Sequence, residues 1–275
     1  MLLRWPRIYN PRAASSIRST SMVFPPYPKL QMLPKTARFF QSLGLSTTLI
    51  DRLSQSGLRT PTSVQCKAIP SILMGHDAVI AAETGGGKTL AFLLPMIEHF
   101  RRKARPASAM RFPAALVLTT SQELVRQVAA VLHQMDPELA RHAISLSSSR
   151  QTLGQQGGRA CPLVVATPGA LLRASKPRDF AFTQLVIVDE ADMLLSGGFE
   201  KETKQILATI RNQPLLKSEL NRWEDADPRD RQVQDQDVAT GSTQTVFSAI
   251  SSSQYFFEWV LLLTRTLVGL SRVFP

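Results

Sequence analysis

The stretch "AAETGGGKTLAF", residues 81–92, determines how the rest of the sequence is interpreted. Gly85, Gly86 and Gly87 have no Cβ, so their backbone can approach an anion closely. A short apolar run precedes the glycines and a helical pattern follows them, which places successive N–H groups at a helix start as an anion-binding nest. The usual phosphate-binding pattern has a glycine where Ala82 stands. That position shapes a turn rather than contacting phosphate, so the stretch is still predicted to bind phosphate.

Side chains beyond the glycines are also suited to binding phosphate and Mg²⁺. Lys88 can pair with the β- and γ-phosphates, and Thr89 can offer its hydroxyl to Mg²⁺. Further along, "LVIVDEAD" places Asp189 and Glu190 at the end of an apolar strand. One carboxylate there can hold Mg²⁺ through water, and the other can orient or activate an attacking water. Because both signals occur in one chain and in this order, the sequence predicts a P-loop nucleoside triphosphatase.

Apolar strands alternate with helical patterns along most of the chain. This alternation predicts an α/β fold in which helices flank a mainly parallel sheet. Continuous apolar strands such as "LVIV" fit a sheet that is covered on both faces. Ligands of such sheets bind beyond the carboxyl ends of the strands. Strands are predicted at 76–82, 114–120, 142–146, 162–167, 184–190 and 243–249, with helical patterns from about 36 to 57 and at 88–105, 121–135, 168–175 and 199–212.

The positive charge of the chain is concentrated at its N-terminal end. The formal net charge is +11, and residues 1–50 carry seven Lys and Arg with no Asp or Glu. Residues 1–35 are Arg-rich, Ser-rich and Pro-containing, which is typical of a disordered organellar transit segment. A disordered basic tail and a nucleic-acid-binding tail are the alternatives. We therefore expect a mitochondrial location, with a plastid or the nucleus and nucleolus as alternatives.

Three further segments are distinguished by composition. Residues 36–250 carry the alternating pattern and are predicted to form one domain. Residues 212–242 are polar and charged, which predicts a solvated insertion before the last strand. Residues 251–275 are apolar but include three charged side chains. The longest uncharged part of this tail is too short to span a bilayer, which needs about 20 apolar residues, so no membrane contact is expected.

The motifs at the strand ends resemble those of a known family. "DEAD", Asp189–Asp192, is similar to the signature of DEAD-box RNA helicases. That family often has alanine where Ala82 stands, so "AETGGGKT", Thr84 included, looks like its phosphate loop. The resemblance implies a RecA-like domain that binds ATP with Mg²⁺ and acts on RNA, as a single strand or a short duplex. Asp192 is expected to help couple hydrolysis to RNA unwinding.

Two positions resemble the part of the family that recognises adenine. "GLRTPTSVQCKAIP" is similar to the adenine-recognition motif, and Gln65 stands where the family's glutamine reads the adenine edge. Leu58 replaces the usual aromatic residue of this motif. Phe40 lies upstream at the spacing where the family keeps a phenylalanine. The resemblance therefore implies nucleotide contacts for Gln65 and Phe40.

The RNA-contact motifs match the family less closely. "TPG", Thr167, Pro168 and Gly169, resembles the RNA-backbone motif, but Ala170 replaces its common arginine. "TSQEL" resembles the motif PTREL, with Gln122 in place of the arginine. The same stretch also fits an ordinary helix start. An RNA contact is therefore implied for "TPG" and for Gln122.

The last motif concerns coupling between hydrolysis and unwinding. "VFSAI" resembles the family's SAT motif, in which Ser248 and Ala249 match and Ile250 removes the threonine hydroxyl. Nothing after Ala249 resembles the family's second RecA-like domain, which supplies an arginine finger. We therefore expect weak ATP binding, little turnover and no unwinding from this chain alone. A non-catalytic module that binds nucleotide or RNA is the alternative function, and an unrelated P-loop ATPase is a third.

Overall fold

The computed structural model describes residues 39–102, 112–146, 153, 161–211 and 243–250. The predicted transit segment (1–35), the polar insertion (212–242) and the apolar tail (251–275) therefore lie outside the described residues. Among the helices that are described, none has the length and apolar character needed to cross a membrane.

A parallel sheet forms the centre of the described domain. Its strands occur in the order β1-β6-β5-β2-β4-β3, and each neighbouring pair is parallel. The predicted strands and the predicted fold class are thus confirmed. The strands are β1 (Ala78–Ala81), β2 (Ala115–Leu118), β3 (Ile144–Leu146), β4 (Leu163–Ala166), β5 (Leu185–Val188) and β6 (Gln244–Ala249).

The helices include three that the sequence patterns did not indicate, namely α2, α5 and α7. The predicted N-terminal helix is also divided, because Gly44 adopts a left-handed φ of 85° between a 3₁₀ turn (Phe40–Leu43) and α1. The helices are α1 (Thr47–Gln55), α2 (Ser63–Leu73), α3 (Lys88–Arg101), α4 (Gln122–Met135), α5 (Pro137–His142), α6 (Pro168–Ala174), α7 (Ala191–Ser196) and α8 (Glu200–Arg211).

Helices cover both faces of the sheet. Successive side chains of a strand point to opposite faces. Ile80 accordingly belongs to the hydrophobic cluster built with α1 to α5, whereas Val79 belongs to the cluster built with α6, α7 and α8. The four residues of β5 are all buried, which explains their uninterrupted apolar sequence. Because all the strands are parallel, their carboxyl ends meet at one edge, and the loops after β1, β2, β4, β5 and β6 converge there.

At the opposite edge, Asp77 connects the starts of β1 and β6. Its Oδ1 accepts the backbone N–H of Thr245 at 2.7 Å. Burial raises the pKa of Asp77 from 3.8 to about 6, and the hydrogen bond from Thr245 offsets only part of this rise. Because the pKa is higher in the folded than in the unfolded state, Asp77 makes the fold less stable as the pH rises from about 4 to about 6.

We expect Asp77→Asn to increase the free energy of unfolding at pH 7.5 by about 3 kcal/mol, since a pKa shift of one unit corresponds to about 1.4 kcal/mol and the shift from 3.8 to about 6 spans about two units. The asparagine keeps an oxygen that accepts the N–H of Thr245 but carries no charge. Urea unfolding of both proteins at pH 7.5 and at pH 4.5 measures the effect. The difference should shrink at the lower pH, and a difference that is the same at both pH values would contradict this account.

Candidate active site

The loop that carries the glycines connects β1 to α3. Gly85 and Gly87 have left-handed φ angles of 81° and 83°, which side chains with a Cβ rarely adopt. A Cβ on Gly87 would also lie 2.5 Å from Nε2 of Gln65. Gly87 immediately precedes the first residue of α3, so the loop delivers its backbone to a helix start as predicted. Thr84 is exposed in this loop, and Gly86 is partly exposed.

The Lys88 ammonium is bound to the loop itself in this structure. Its Nζ donates to the carbonyl of Ala82 at 2.6 Å and to that of Glu83 at 2.8 Å. Ala82 therefore contributes through its backbone, which alanine provides as well as glycine does. Since an ammonium group has three donors and no acceptor, bound phosphate oxygens would take over some of these hydrogen bonds. The loop is thus held closed around the side chain that is predicted to bind phosphate.

Gln65 supports the phosphate loop from α2. Its Nε2 donates to the carbonyl of Gly87 at 3.1 Å, and its Oε1 accepts the N–H of Thr62 at 3.0 Å. The Thr62 hydroxyl donates to the carbonyl of Gly86 at 3.0 Å. The side chain of Gln65 is 3% exposed. The structure thus shows Gln65 supporting the phosphate loop through hydrogen bonds. Its contact with adenine stays a prediction.

Phe40 lies in the core next to the segment that carries Gln65. Its side chain is 3% exposed and belongs to the hydrophobic core beneath α1 and α2. The structure therefore gives Phe40 a packing role in the core, and its contact with the nucleotide stays a prediction. The preceding residue, Phe39, is 60% exposed. Of these two neighbouring rings, the packing of the 3₁₀ turn buries Phe40 and leaves Phe39 exposed.

The acids lie at the end of β5, between the ends of β6 and β2. Asp189 is 6% exposed, and its Oδ1 accepts the N–H of Glu190 at 3.1 Å. Burial raises the pKa of Asp189, the largest effect, while the Ser248 hydroxyl, the Glu190 N–H and the charge of Lys88 lower it. The two groups Ser248 and Asp189 nevertheless form no hydrogen bond of ordinary geometry. The fold thus brings Lys88, Asp189 and Ser248 together from three separate strand ends.

Glu190 has an unusual backbone. Its φ is 51°, and it is the one non-glycine with a positive φ in the described part of the chain. Such conformations are maintained only where the surroundings hold them, and they concentrate at functional sites. The Glu190 carboxylate accepts a hydrogen bond from the Thr120 hydroxyl. The sequence analysis did not assign a role to Thr120, because only the pairing of β2 with β5 brings the two residues together.

The predicted coupling residues contact the site in different ways. Ala249 is fully buried, and its carbonyl accepts the N–H of Ala82 at 3.3 Å, which links β6 directly to the phosphate loop. Ser248 is fully buried beside Asp189. Asp192 accepts the N–H of Met193 at its Oδ1, at 3.2 Å. The link between Ala249 and the loop is therefore present in the structure, and the coupling role of all three stays a prediction.

The predicted RNA-contact residues lie on the same edge, after two paired strands. Gln122 begins α4 just beyond β2, Thr167 lies between β4 and α6, and Gly169 lies in the first turn of α6. Thr167 and Gly169 are partly exposed, whereas Pro168 is buried. Pro168 occupies the first turn of α6, where proline is favoured. Pro168 therefore shapes the start of α6, and its contact with RNA stays a prediction.

A cationic side chain near this turn was missed by the sequence analysis. Ala170, at the position of the family's arginine, is 5% exposed and packs in the core. Arg173, one helical turn further along α6, is exposed, and its Nη1 lies 3.3 Å from where a Cβ on Gly169 would be. The i, i+3 spacing on a helix could have indicated this replacement.

The geometry of this site identifies the class of protein to which the domain belongs. A glycine loop entering a helix at the carboxyl edge of a parallel sheet, with a buried acid on a nearby strand, is the arrangement of a P-loop nucleotide-binding domain. The model of the DEAD/DEAH box helicase family matches residues 62–232. The chain belongs to the DEAD/DEAH box helicase family.

Two curated relatives illustrate the similarity. The pre-mRNA-processing ATP-dependent RNA helicase prp5 of Aspergillus fumigatus is 32% identical over 186 residues, which is 65% of this chain and 15% of prp5. The ATP-dependent RNA helicase HAS1 of Candida albicans is 36% identical over 180 residues, which is 63% of this chain and 31% of HAS1. The chain thus spans less than a third of the length of these relatives.

Solved structures give the same fold. The RNA helicase Prp28 from Chaetomium thermophilum bound to ADP superposes with a TM-score of 0.63 at 25% identity, covering 87% of this chain and 50% of Prp28. A DEAD box protein from Methanococcus jannaschii has a TM-score of 0.55 at 21% identity, covering 86% of this chain and 55% of that protein. The second match shows the fold alone. The described sheet and helices therefore form a RecA-like domain of this family.

Proposed function

We propose that this chain binds Mg·ATP at the phosphate loop and provides the ATP-binding domain of an ATP-dependent RNA helicase, which hydrolyses ATP to remodel RNA. The observation that supports this most directly is the meeting of Lys88, Asp189 and Ser248 at one edge of the sheet. In this proposal the Lys88 ammonium leaves the carbonyls of the loop and pairs with the β- and γ-phosphates. Glu190 orients the attacking water and accepts its proton.

The donor groups at the site fit Mg²⁺. This ion prefers oxygen ligands and keeps several waters while it binds one or two carboxylates and substrate phosphates. Thr89 offers a hydroxyl in the first turn of α3, and Asp189 offers a buried carboxylate whose charge a dication would stabilise. We propose that these two residues hold Mg²⁺, Asp189 partly through water. When bound, the ion would neutralise charge on the phosphates.

The RNA component of the proposal rests on the edge formed after β2 and β4. Gln122, Thr167 and Gly169 would contact the sugar-phosphate backbone of RNA. The RNA would be a single strand or a short duplex. The exposed guanidinium of Arg173 supports this assignment, because it supplies positive charge beside Gly169 although Ala170 carries none. Arginine suits phosphate because its planar group can donate two hydrogen bonds at once.

The residue at position 250 favours a second function, that of a non-catalytic binding module. Ile250 is 43% exposed and has no hydroxyl, at the position where the resembling motif has a threonine that takes part in coupling. A chain that binds nucleotide and RNA through one domain without coupling them would be a non-catalytic module. In that case ATP and RNA would bind, but RNA would not change the rate of hydrolysis.

Phosphate release from Mg·ATP, measured with and without a single-stranded RNA, separates the two functions. RNA-stimulated release would support the helicase proposal. Binding of both ligands without stimulation would support the binding module, and failure to bind ATP would contradict both.

We also propose that residues 1–35 direct the protein to mitochondria. The composition of this segment, which has several arginines and serines and no acidic residue, supports the proposal. A fusion of residues 1–35 to a fluorescent protein should colocalise with a mitochondrial marker. A plastid or nuclear signal would support an alternative location, and a uniform cytosolic signal would reject targeting by this segment.

A further inference from the structure

Thr120 and Glu190 follow neighbouring strands and are joined through their side chains. The Thr120 hydroxyl donates to Oε2 of Glu190. Leu118 of β2 pairs with Val188 of β5. Thr120 and Glu190 each lie two residues beyond this pair, so they leave the sheet at the same level. The resembling family motif has proline in place of Thr120, and proline has no hydroxyl to donate. The hydrogen bond therefore depends on a residue at which this sequence departs from the motif that it resembles.

The hydrogen bond holds the Glu190 carboxylate on one side of β5. The phosphate loop follows β1, which β6 separates from β5, whereas β2 lies on the other side of β5. The Thr120 hydroxyl thus holds Glu190 toward β2, the side opposite the phosphate loop. Asp189, by contrast, is close enough to Lys88 and Ser248 for both groups to lower its pKa. Of the two acids, Glu190 is the one that Thr120 holds toward β2.

Thr120 also belongs to the segment that is proposed to contact RNA. Gln122 follows two residues later as the first residue of α4. The Thr119 hydroxyl donates to the carbonyl of Ser121 at 3.2 Å, and the Ser121 hydroxyl accepts the N–H of Leu124 at 3.2 Å. Because these bonds tie the segment to the start of α4, a displacement of Gln122 on binding a phosphate would displace Thr120.

We propose that Thr120 is a positioning residue that links the RNA-contact segment to the catalytic carboxylate. Without RNA, its hydroxyl keeps Glu190 toward β2. When RNA engages the segment at Gln122, Thr120 moves and Glu190 is released to orient the attacking water. This inference rests on the proposed function and deepens it, because it identifies how RNA stimulates hydrolysis.

The test compares wild type, Thr120→Val and Thr120→Ser as full-length chains. Valine has nearly the shape of threonine but lacks the hydroxyl, and serine retains it. Thr120→Val should raise hydrolysis without RNA by about tenfold or more, since a hydrogen bond to a charged group stabilises its resting position by at least about that factor. The rate with saturating RNA should remain near wild type, so the stimulation ratio falls. Thr120→Ser should retain the wild-type ratio.

Thr119→Val provides a matched control. Thr119 is fully buried, and its hydroxyl donates to the carbonyl of Ser121 in the same segment, whereas the Thr120 hydroxyl donates to Glu190. A general loosening of the segment would affect this variant as much as Thr120→Val. Our inference predicts that only Thr120→Val raises hydrolysis without RNA, because Thr119→Val keeps the hydrogen bond from Thr120 to Glu190. RNA affinity, measured by fluorescence anisotropy, should be the same in Thr120→Val and wild type.

Three results of these ATPase measurements would contradict the inference. An unchanged stimulation ratio in Thr120→Val, with RNA-stimulated wild type, would overturn the inference and leave the proposed function intact. Equal slowing of Thr120→Val with and without RNA would also overturn it, because Thr120 would then only support the active geometry. A wild-type chain without RNA-stimulated hydrolysis would overturn the helicase proposal and this inference together.

Discussion

Lys88→Ala is expected to weaken binding of Mg·ATP by about 100-fold, because the β- and γ-phosphates lose their charge-assisted hydrogen bonds. The ammonium already lies within the loop, 2.6 Å and 2.8 Å from the carbonyl oxygens of Ala82 and Glu83. The same atom can therefore reach a phosphate without a large movement of α3. Titration with a fluorescent ATP analogue in the presence of Mg²⁺ measures the affinity.

Lys201→Ala is the matched control for this prediction. Lys201 is exposed on α8, which covers the other face of the sheet from α3. The control removes one positive charge without touching the loop, so its affinity for ATP should equal that of wild type. Unchanged affinity in Lys88→Ala would remove the loop from the nucleotide site, and equal losses in both variants would indicate a general effect of charge.

Glu190→Gln is expected to lower ATP hydrolysis by about 100-fold or more, within the usual range for loss of a general base. Glutamine has the same shape and can still accept the hydrogen bond from Thr120, but it cannot take a proton from water. Affinity for ATP should change by less than about twofold, because the proposed phosphate contacts come from Lys88 and the glycine loop. Steady-state phosphate release and ATP titration, measured on the same preparation, separate the two effects.

Glu83→Gln is the control that tests the location of this effect. Glu83 is an exposed carboxylate in the phosphate loop, and only its backbone carbonyl contacts Lys88. Its replacement should leave hydrolysis near the wild-type rate. If Glu190→Gln hydrolysed ATP as fast as wild type, the measured activity would not come from this site.

The strands and long helices could be predicted because each has a strong local pattern. "LVIV" is apolar throughout since both faces of β5 are covered, and α3 follows the glycine loop directly. α2 was missed because Pro70 lies inside it, although Thr62 and Gln65 have the spacing of a capping box. α5 and α7 have six residues each, which is too short to display a helical period.

The sequence by itself determined the class of fold, the phosphate loop and the pair of acids. These features depend on neighbouring residues, since glycine freedom, strand burial and helix starts are local properties. Phe40 shows the limit of this reasoning, because its spacing along the chain did not reveal which side of a 3₁₀ turn would be buried.

The tertiary structure alone decided the contacts between strand ends. Thr120 and Glu190 are 70 residues apart in sequence, and their hydrogen bond exists because β2 and β5 are neighbours. The bond between Ala82 and Ala249 likewise follows from the pairing of β1 with β6. Strand order sets which loops meet at the carboxyl edge, and it results from packing over the whole sheet. The chemistry of each loop is therefore readable in the sequence, whereas the side chain that holds it in place is not.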